Sequence, residues 1–176
     1  SKNNEFLNES SDLNPVSLYA KTRIFSEKLI LESALNYNPL ILRLSTIFGF
    51  SKRMRFDLVV NLFVAQALKY KKITVNGGNQ WRPFLHCYDA ANAFYNSLVN
   101  NNSYSIYNVG SEENNSTILK ISELIKEKVK DLKINISDVV TDERNYKVSF
   151  ERINKDFNFN CKYNLSNGVD DMILKL

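Results

Sequence analysis

A short apolar run at residues 39–49, PLILRLSTIFG, restricts the possible folds more than any other segment. It is nearly all apolar before its polar end, and Pro39 and Gly49 bound it. This pattern is typical of a β-strand buried on both faces of a parallel sheet. The preceding stretch carries apolar residues at multiples of four and seven, which predicts a helix over roughly residues 16–36. A helix that leads into a buried strand indicates an α/β layer.

The rest of the chain alternates between helix-period and strand-like segments. We expect helices near residues 56–68, 90–98 and 118–129, and strands at KITV, SYSIYNVG and LKINI. Asp89 is expected to cap the second of these helices, and Ser116 or Thr117 the third. The 176 residues contain no internal repeat, charge block or flexible linker. We therefore expect one compact unit.

Charge and cysteine content argue against several classes of protein. The net charge is +4, from 23 Lys and Arg against 19 Asp and Glu, and the basic residues are spread out, so nucleic acid is not an expected partner. No run of about 18 apolar residues occurs, which disfavours a membrane span. The first ten residues lack the apolar core of a signal peptide, and Cys87, Cys161 and the only histidine, His86, show no metal-ligand spacing. We expect a cytoplasmic protein without a metal site.

Tyr19 and Arg23 are the first candidates for chemistry, because residues four apart on a helix share one face. A cation beside a phenol favours the phenolate, which a tyrosine needs in order to exchange a proton near neutral pH. From spacing alone, a Tyr and Arg pair on a solvated or interface surface is the simpler interpretation.

The segment around this pair, NPVSLYAKTRIFSEKL, resembles the catalytic helix of the extended short-chain dehydrogenase/reductase family. That family includes the nucleotide-sugar epimerases and dehydratases, and its signature is Tyr-x-x-x-Lys preceded by Pro-x-Ser. Five later segments resemble further elements of the family in the same order: RLSTIFG, MRFDLVVNLFVAQAL, GGNQWRPFLHCYDAANAF, YNVGSEENNSTILKISELI and DERNYKVS. Six collinear motifs over nearly the whole chain make the resemblance specific.

The resemblance implies that NAD, rather than NADP, is the cofactor and that Tyr19 is the general acid/base. Arg23 stands where the family has lysine. Arginine keeps the positive charge but presents a planar fork, so the proton relay could be retained or weakened. Ser45, at the end of the buried strand, resembles a residue that lines the nicotinamide. Its alternative role is a hydrogen bond at the strand end.

The same resemblance implies a nucleotide-diphosphate sugar as substrate. Arg82 and Arg144 match the family's diphosphate-binding arginines, since a guanidinium binds phosphate oxygens through two parallel hydrogen bonds. Thr46 resembles a residue that lines the sugar, and Asn61 one that approaches the phosphates. The alternatives are solvated arginines, a hydrogen bond at the strand end for Thr46, and a helix-capping role for Asn61.

One element of the family has no counterpart, because the sequence contains no Gly-x-x-Gly-x-x-Gly fingerprint. The predicted fold is therefore α/β: the C-terminal portion of a Rossmann-like doubly wound parallel sheet (residues 1–55) plus a small α/β substrate-binding lobe (residues 56–176), interleaved in one unit. Two functions remain open. The chain could be the C-terminal fragment of a nucleotide-sugar epimerase or 4,6-dehydratase that oxidises the sugar transiently at C4, or an inactive remnant or nucleotide-sugar-binding module. The complete protein is expected to be a homodimer.

Overall fold

The computed structural model describes residues 5–33, 37–100, 104–139, 142 and 144–176. These contain six α-helices and one 3₁₀ turn at Glu112–Asn114. The helices are α1 Leu18–Glu32, α2 Val59–Tyr70, α3 Cys87–Val99, α4 Ile118–Lys128, α5 Glu151–Phe157 and α6 Leu165–Lys175.

Nine short strands accompany these helices among the described residues, and most strand pairs are parallel. The strands are β1 Phe6–Leu7, β2 Ile41–Leu44, β3 Thr46–Phe48, β4 Lys72–Asn76, β5 Trp81–His86, β6 Ile106–Val109, β7 Asn115–Thr117, β8 Lys133–Ser137 and β9 Lys147–Val148. Parallel pairs join β1 to β9, β2 to β6, β3 to β5 and β4 to β8, whereas β5 and β7 are antiparallel. The predicted α/β fold with parallel strand pairs is confirmed.

The apolar run at residues 39–49 forms two strands that have different partners. Ile41 pairs with Ile106 on β6, and after a break at Ser45 the chain continues with Thr46 paired to Phe84 on β5. The four residues of β2 are only half-buried, so the expectation of a strand buried on both faces is wrong for this half of the run. Among the described residues β2 has a strand partner on one side only, which explains its partial burial.

Two apolar clusters form the core. One lies among α2, α4, α6 and β4 and contains Val60, Phe63, Val64, Ala67, Ile73, Val75, Ile121, Ile125, Val169 and Met172. The other is built from β5, β6, α3, α5 and the segment after α5, and contains Leu85, Ala93, Tyr107, Val109, Phe150, Ile153, Phe157 and Phe159. The β2 residues Leu42 and Leu44 pack against the second cluster, whereas Phe48 belongs to the first. The run at 39–49 therefore connects the two cores, and the proposed division at residue 55 stays a prediction.

Helix α1 lies within the range predicted for it but covers no core. It begins after Ser17, whose hydroxyl accepts a hydrogen bond from the backbone of Ala20 at 3.1 Å. None of its residues is buried. The expected end of this helix at residues 34–36 lies outside the described residues. No helix in the described part of the chain is both long and apolar enough to cross a membrane.

The expected cap of α3 is wrong. The helix begins at Cys87, and the ring of His86 accepts the capping hydrogen bond at 3.4 Å. Asp89 lies inside the first turn, is buried, and accepts hydrogen bonds from the backbone of Lys162 and Tyr163, each at 2.9 Å. Its carboxylate thus holds the chain segment between α5 and α6 against α3. Thr117 does cap α4, as expected.

Candidate functional site

A cavity of about 320 Å³ contains three of the predicted substrate-binding residues, Thr46, Arg82 and Arg144. It lies where β3, β4 and β5 meet the first residues of α2 and α4. The described residues that line it are Thr46, Asp57, Leu58, Val59, Leu62, Phe63, Thr74, Asn76, Gln80, Arg82, Phe84, Ile118, Asp142 and Arg144. The lining is apolar on the α2 side and polar around the two arginines.

Arg82 is buried, and protein acceptors surround its guanidinium. Strand β5 carries it between β3 and β7, and only 6% of the residue is exposed. Its Nη1 donates to the carbonyl oxygens of Trp81, at 2.7 Å, and of Arg144. Its Nη2 lies 3.0 Å from Oδ2 of Asp142, and the guanidinium carbon lies 5.5 Å from the centre of the Tyr146 ring. Arg82 therefore fixes the segment around residue 144 beside the cavity.

Arg144 is more accessible and is bound by the same carboxylate. Its Nε and Nη2 donate to the two oxygens of Asp142 at 2.8 and 2.6 Å, and its side chain is 55% exposed. The Arg144 guanidinium, with a smaller contribution from Arg82, holds the pKa of Asp142 well below its usual range. Asp142 in turn raises the pKa of Arg144. The Asp142 carboxylate therefore joins both arginines.

Ser45 and Thr46 are adjacent but differently placed. Thr46 lines the cavity. The Ser45 hydroxyl donates to the carbonyl of Val109 at 2.9 Å and is buried. A methyl group on Gly110 would come within 2.6 Å of this hydroxyl and of the Phe150 ring, so the packing around Ser45 is tight. The role of Ser45 in cofactor binding stays a prediction, and the structure gives it a hydrogen bond at the strand end.

Asn61 is buried two residues after the start of α2, and both ends of its amide bind backbone. Its oxygen accepts from Gly49 at 3.1 Å and its nitrogen donates to the carbonyl of Arg55 at 3.0 Å. It is neither the helix cap, which is Leu58, nor one of the described residues that line the cavity. Its predicted contact with phosphate stays a prediction.

Tyr19 and Arg23 contact each other on α1, as their spacing indicated. The guanidinium carbon of Arg23 lies 5.0 Å from the centre of the Tyr19 ring. Tyr19 is 68% exposed, so its phenol is accessible to a bound molecule. The proton-transfer role of the pair stays a prediction.

An ion pair that was not predicted from the sequence joins Arg55 and Asp57 just before α2. Arg55 donates to both oxygens of Asp57, at 3.1 and 2.5 Å, and Asp57 lines the cavity. Asp57 raises the pKa of Arg55, and Tyr19 is close enough to add a smaller effect in the same direction. The Arg-x-Asp spacing just before α2 was the available signal.

His86 is fully buried and takes no part in this site. Its ring stacks on Tyr163 at 4.0 Å between centres, and its Nε2 lies 3.9 Å from Asp171. Burial lowers its pKa, against the opposing effect of Asp171 and Asp89. In the described ranges no cluster of three or more His, Cys, Asp or Glu could hold a metal ion.

Comparison with known proteins adds a family match. The model of the NAD dependent epimerase/dehydratase family matches residues 2–110. A curated relative, UDP-glucuronic acid decarboxylase 1 of Danio rerio, is 38% identical over 87 residues, which is 49% of this chain and 20% of the relative.

Solved structures resemble nearly the whole chain. An NAD dependent NDP-hexosamine 5,6-dehydratase of tunicamycin biosynthesis superposes with a TM-score of 0.86 at 16% identity over 98% of this chain and 58% of that one. The UDP-glucuronic acid 4-epimerase of Bacillus cereus, solved with UDP-glucuronic acid and NAD, gives 0.82 at 22% identity over 98% and 56%. The dTDP-glucose 4,6-dehydratase of Bacillus anthracis, solved with NAD, gives 0.81 at 22% identity over 98% and 56%. The chain thus shares their fold and spans little more than half of their length.

Proposed function

Since the chain belongs to the NAD dependent epimerase/dehydratase family, we propose that it carries the tyrosine helix and the substrate-binding lobe of a nucleotide-sugar epimerase or 4,6-dehydratase. In this proposal the substrate is a nucleotide-diphosphate sugar, and bound NAD would accept a hydride in a transient oxidation at the sugar C4. The relatives named above act on such sugars according to their names.

One observation carries the proposal: Thr46, Arg82 and Arg144 surround one cavity although they are far apart in sequence. Guanidinium groups match phosphate oxygens in charge and geometry. The volume of about 320 Å³ lies at the lower end of small-molecule sites, which suits the diphosphate and part of a sugar. The side chains of Leu58, Val59 and Leu62 form an apolar wall of the cavity.

The residues present fit NAD in part. Bound NAD would supply the hydride acceptor, and the protein would supply placement and proton transfer. Tyr19 has an accessible phenol, and Arg23 places a positive charge beside it, which suits the proposed proton exchange with a sugar hydroxyl. Ser45 fits less well, because its hydroxyl is already bound to Val109.

A second function has its own supporting observation. Arg23 occupies the position of the family's lysine, and its guanidinium lies over the Tyr19 ring. The arginine in place of lysine supports a module that binds nucleotide sugars without converting them.

Binding is tested by calorimetric titration of the chain with UDP-glucuronic acid and dTDP-glucose. We expect saturable binding that Arg144→Ala weakens about tenfold, the usual value of a charge-assisted pair at an accessible site. Arg53→Ala is the matched control, because Arg53 is exposed and does not line the cavity. Equal affinities for both variants, or no binding at all, would overturn the proposal.

Chemistry is tested separately from binding. The reading frame upstream of Ser1 is sequenced, and the protein that it encodes is incubated with NAD and each nucleotide sugar. A Gly-rich fingerprint upstream, together with a product that Tyr19→Phe abolishes, supports the enzyme. Binding without conversion by that complete protein supports the binding module instead.

The homodimer is also part of the proposal. Large apolar side chains are exposed along α1 and α3; they are Leu18, Phe25, Leu29, Ile30, Phe94, Tyr95, Leu98 and Val99. Apolar faces of this kind usually mark an interface. We expect sedimentation of the complete protein to give a dimer, and Leu98→Glu to shift it towards monomer.

A cytoplasmic location accompanies this proposal, supported by the two free cysteines.

A further inference from the structure

Asp142 occupies the hydrogen-bonding edge of the accessible cation in the cavity. The Nε and Nη2 groups of Arg144 form the planar pair of donors that suits a phosphate, and both donate to the Asp142 oxygens at 2.8 and 2.6 Å. A phosphate cannot accept hydrogen bonds from both Nε and Nη2 of Arg144 while the Asp142 carboxylate accepts them.

The second cation is also engaged. Arg82 directs Nη2 to Asp142 at 3.0 Å and Nη1 to two carbonyl oxygens. Because Arg82 is buried and fixed by these carbonyls, its position does not depend on Asp142 alone. The carboxylate, in contrast, belongs to a side chain that is 40% exposed.

Among the described residues, two carboxylates, Asp57 and Asp142, line the cavity together with the cations Arg82 and Arg144. Asp57 is already paired with Arg55, so Asp142 is the carboxylate that offsets the charge of the two lining arginines. A nucleoside diphosphate is multiply charged, so this carboxylate reduces the attraction of the arginines for it. Release of one carboxylate into solvent would leave a positive site.

We propose that Asp142 is an internal competitor for the diphosphate, which holds the two arginines in the free protein and turns away when the ligand binds. This inference rests on the proposed function. It assigns to Asp142 an effect on affinity that is opposite in sign to that of the arginine it contacts. Between ligands, the carboxylate holds the Arg144 guanidinium through two hydrogen bonds.

The test is calorimetric titration of the chain with UDP, and with uridine as a probe that lacks phosphate. We expect Asp142→Asn to bind UDP about tenfold more tightly than the unchanged chain, because a unit negative charge beside the ligand is removed. Affinity for uridine should not change. Asp170→Asn is the matched control, because Asp170 pairs with Lys128 and does not line the cavity. Asp142→Ala serves as a second variant, and thermal melting shows that each variant is folded.

The outcomes separate this inference from the proposed function. Tighter UDP binding by both Asp142 variants supports it. A second outcome is that UDP binds the unchanged chain, Arg144→Ala weakens this binding, and the Asp142 variants bind UDP no more tightly than the unchanged chain. This outcome overturns the inference and leaves the proposed function standing. In that case Asp142 orients the arginines for the ligand. If no variant binds UDP, dTDP, ADP or pyrophosphate, both are overturned.

Discussion

Arg82 and Arg144 line the same cavity, but their substitution should affect the protein differently. Arg82→Ala removes a buried guanidinium together with its contacts to Trp81, Asp142 and the Arg144 carbonyl. The two hydrogen bonds from its charged guanidinium to the Trp81 and Arg144 carbonyls, at about 1.5 kcal/mol each, predict that the free energy of unfolding falls by about 3 kcal/mol. Arg144→Ala removes an exposed ion pair, which is worth about 0.5 kcal/mol.

These values convert into melting temperatures that can be distinguished. For a chain of this size, 1 kcal/mol corresponds to a shift of about 2–4 °C. Arg82→Ala should therefore melt roughly 6–12 °C below the unchanged protein, and Arg144→Ala within about 2 °C of it. Differential scanning calorimetry measures the shift, and urea titration gives the free energy of unfolding. Arg82→Lys should fall between the two, since an ammonium keeps the charge but loses the planar set of donors.

Equal melting temperatures for the two alanine variants would contradict this expectation, and so would a lower melting temperature for Arg144→Ala. Either result would mean that the contacts of Arg82 to the two carbonyls do not stabilise the fold. Retention of full nucleotide binding by Arg144→Ala would separately refute its role as the accessible cation.

Three further predictions concern groups away from the cavity. Burial raises the pKa of Cys161 to about 12 and also raises that of Cys87, so a thiol reagent at pH 8 should label the native chain much more slowly than the urea-unfolded chain. Burial lowers the pKa of His86, so the unfolded state binds the proton more readily, and the free energy of unfolding should decrease as the pH falls below about 6.5. Gly110→Ala should cost about 2 kcal/mol in urea titrations, because its methyl group would lie 2.6 Å from the Phe150 ring.

Each of these has a specific control. The prediction for the cysteines is contradicted if either thiol is labelled as fast in the native chain as in the unfolded chain. His86→Gln should flatten the dependence of stability on pH between about 7.5 and 5.5. An unchanged slope would mean that another group causes this dependence. Phe150→Leu should recover part of the loss in the Gly110→Ala background, and additive losses would show that the two side chains do not collide.

Elements with a local signal were predictable from the sequence. Helix α4 follows Thr117, whose hydroxyl accepts from the backbone of Lys120 at 3.2 Å, and its apolar period places Ile121 and Ile125 in the core. Strands β4 and β8 were found by their composition. Their mutual pairing was not, because nothing in either segment identifies a partner some 60 residues away.

Strand β5 shows why other elements were missed. The sequence WRPFLH contains Arg82 and Pro83 and does not alternate, although all but Trp81 are buried. Pro83 is tolerated because β5 pairs with β7 up to this residue and with β3 only from Phe84 onwards. The strand has different partners along its length, which a pattern based on one sheet cannot reveal.

The sequence indicated which cations belong to the candidate site, but it did not indicate which carboxylates do. Arg82 and Arg144 were recognised through the motifs around them. Asp142 lies in one of those motifs, yet its bond to Arg82 depends on how the chain folds. For Asp57, the sequence offered only the Arg-x-Asp spacing just before α2. Charge balance in a cavity is therefore a property of the tertiary structure and could not be deduced from separate motifs.

The long-range strand pairing also determines when the protein can fold during its synthesis. Strand β2 needs β6, β4 needs β8, and β1 needs β9, so each waits for a partner from the second half of the chain. A ribosome must release residue 137 before β4 is paired, and Arg144 before the cavity has both cations. Domains dominated by distant pairings fold slowly and expose strand edges meanwhile. A nascent chain that stops before Arg144 should therefore have paired β4 with β8 but lack one of the two cations that line the cavity.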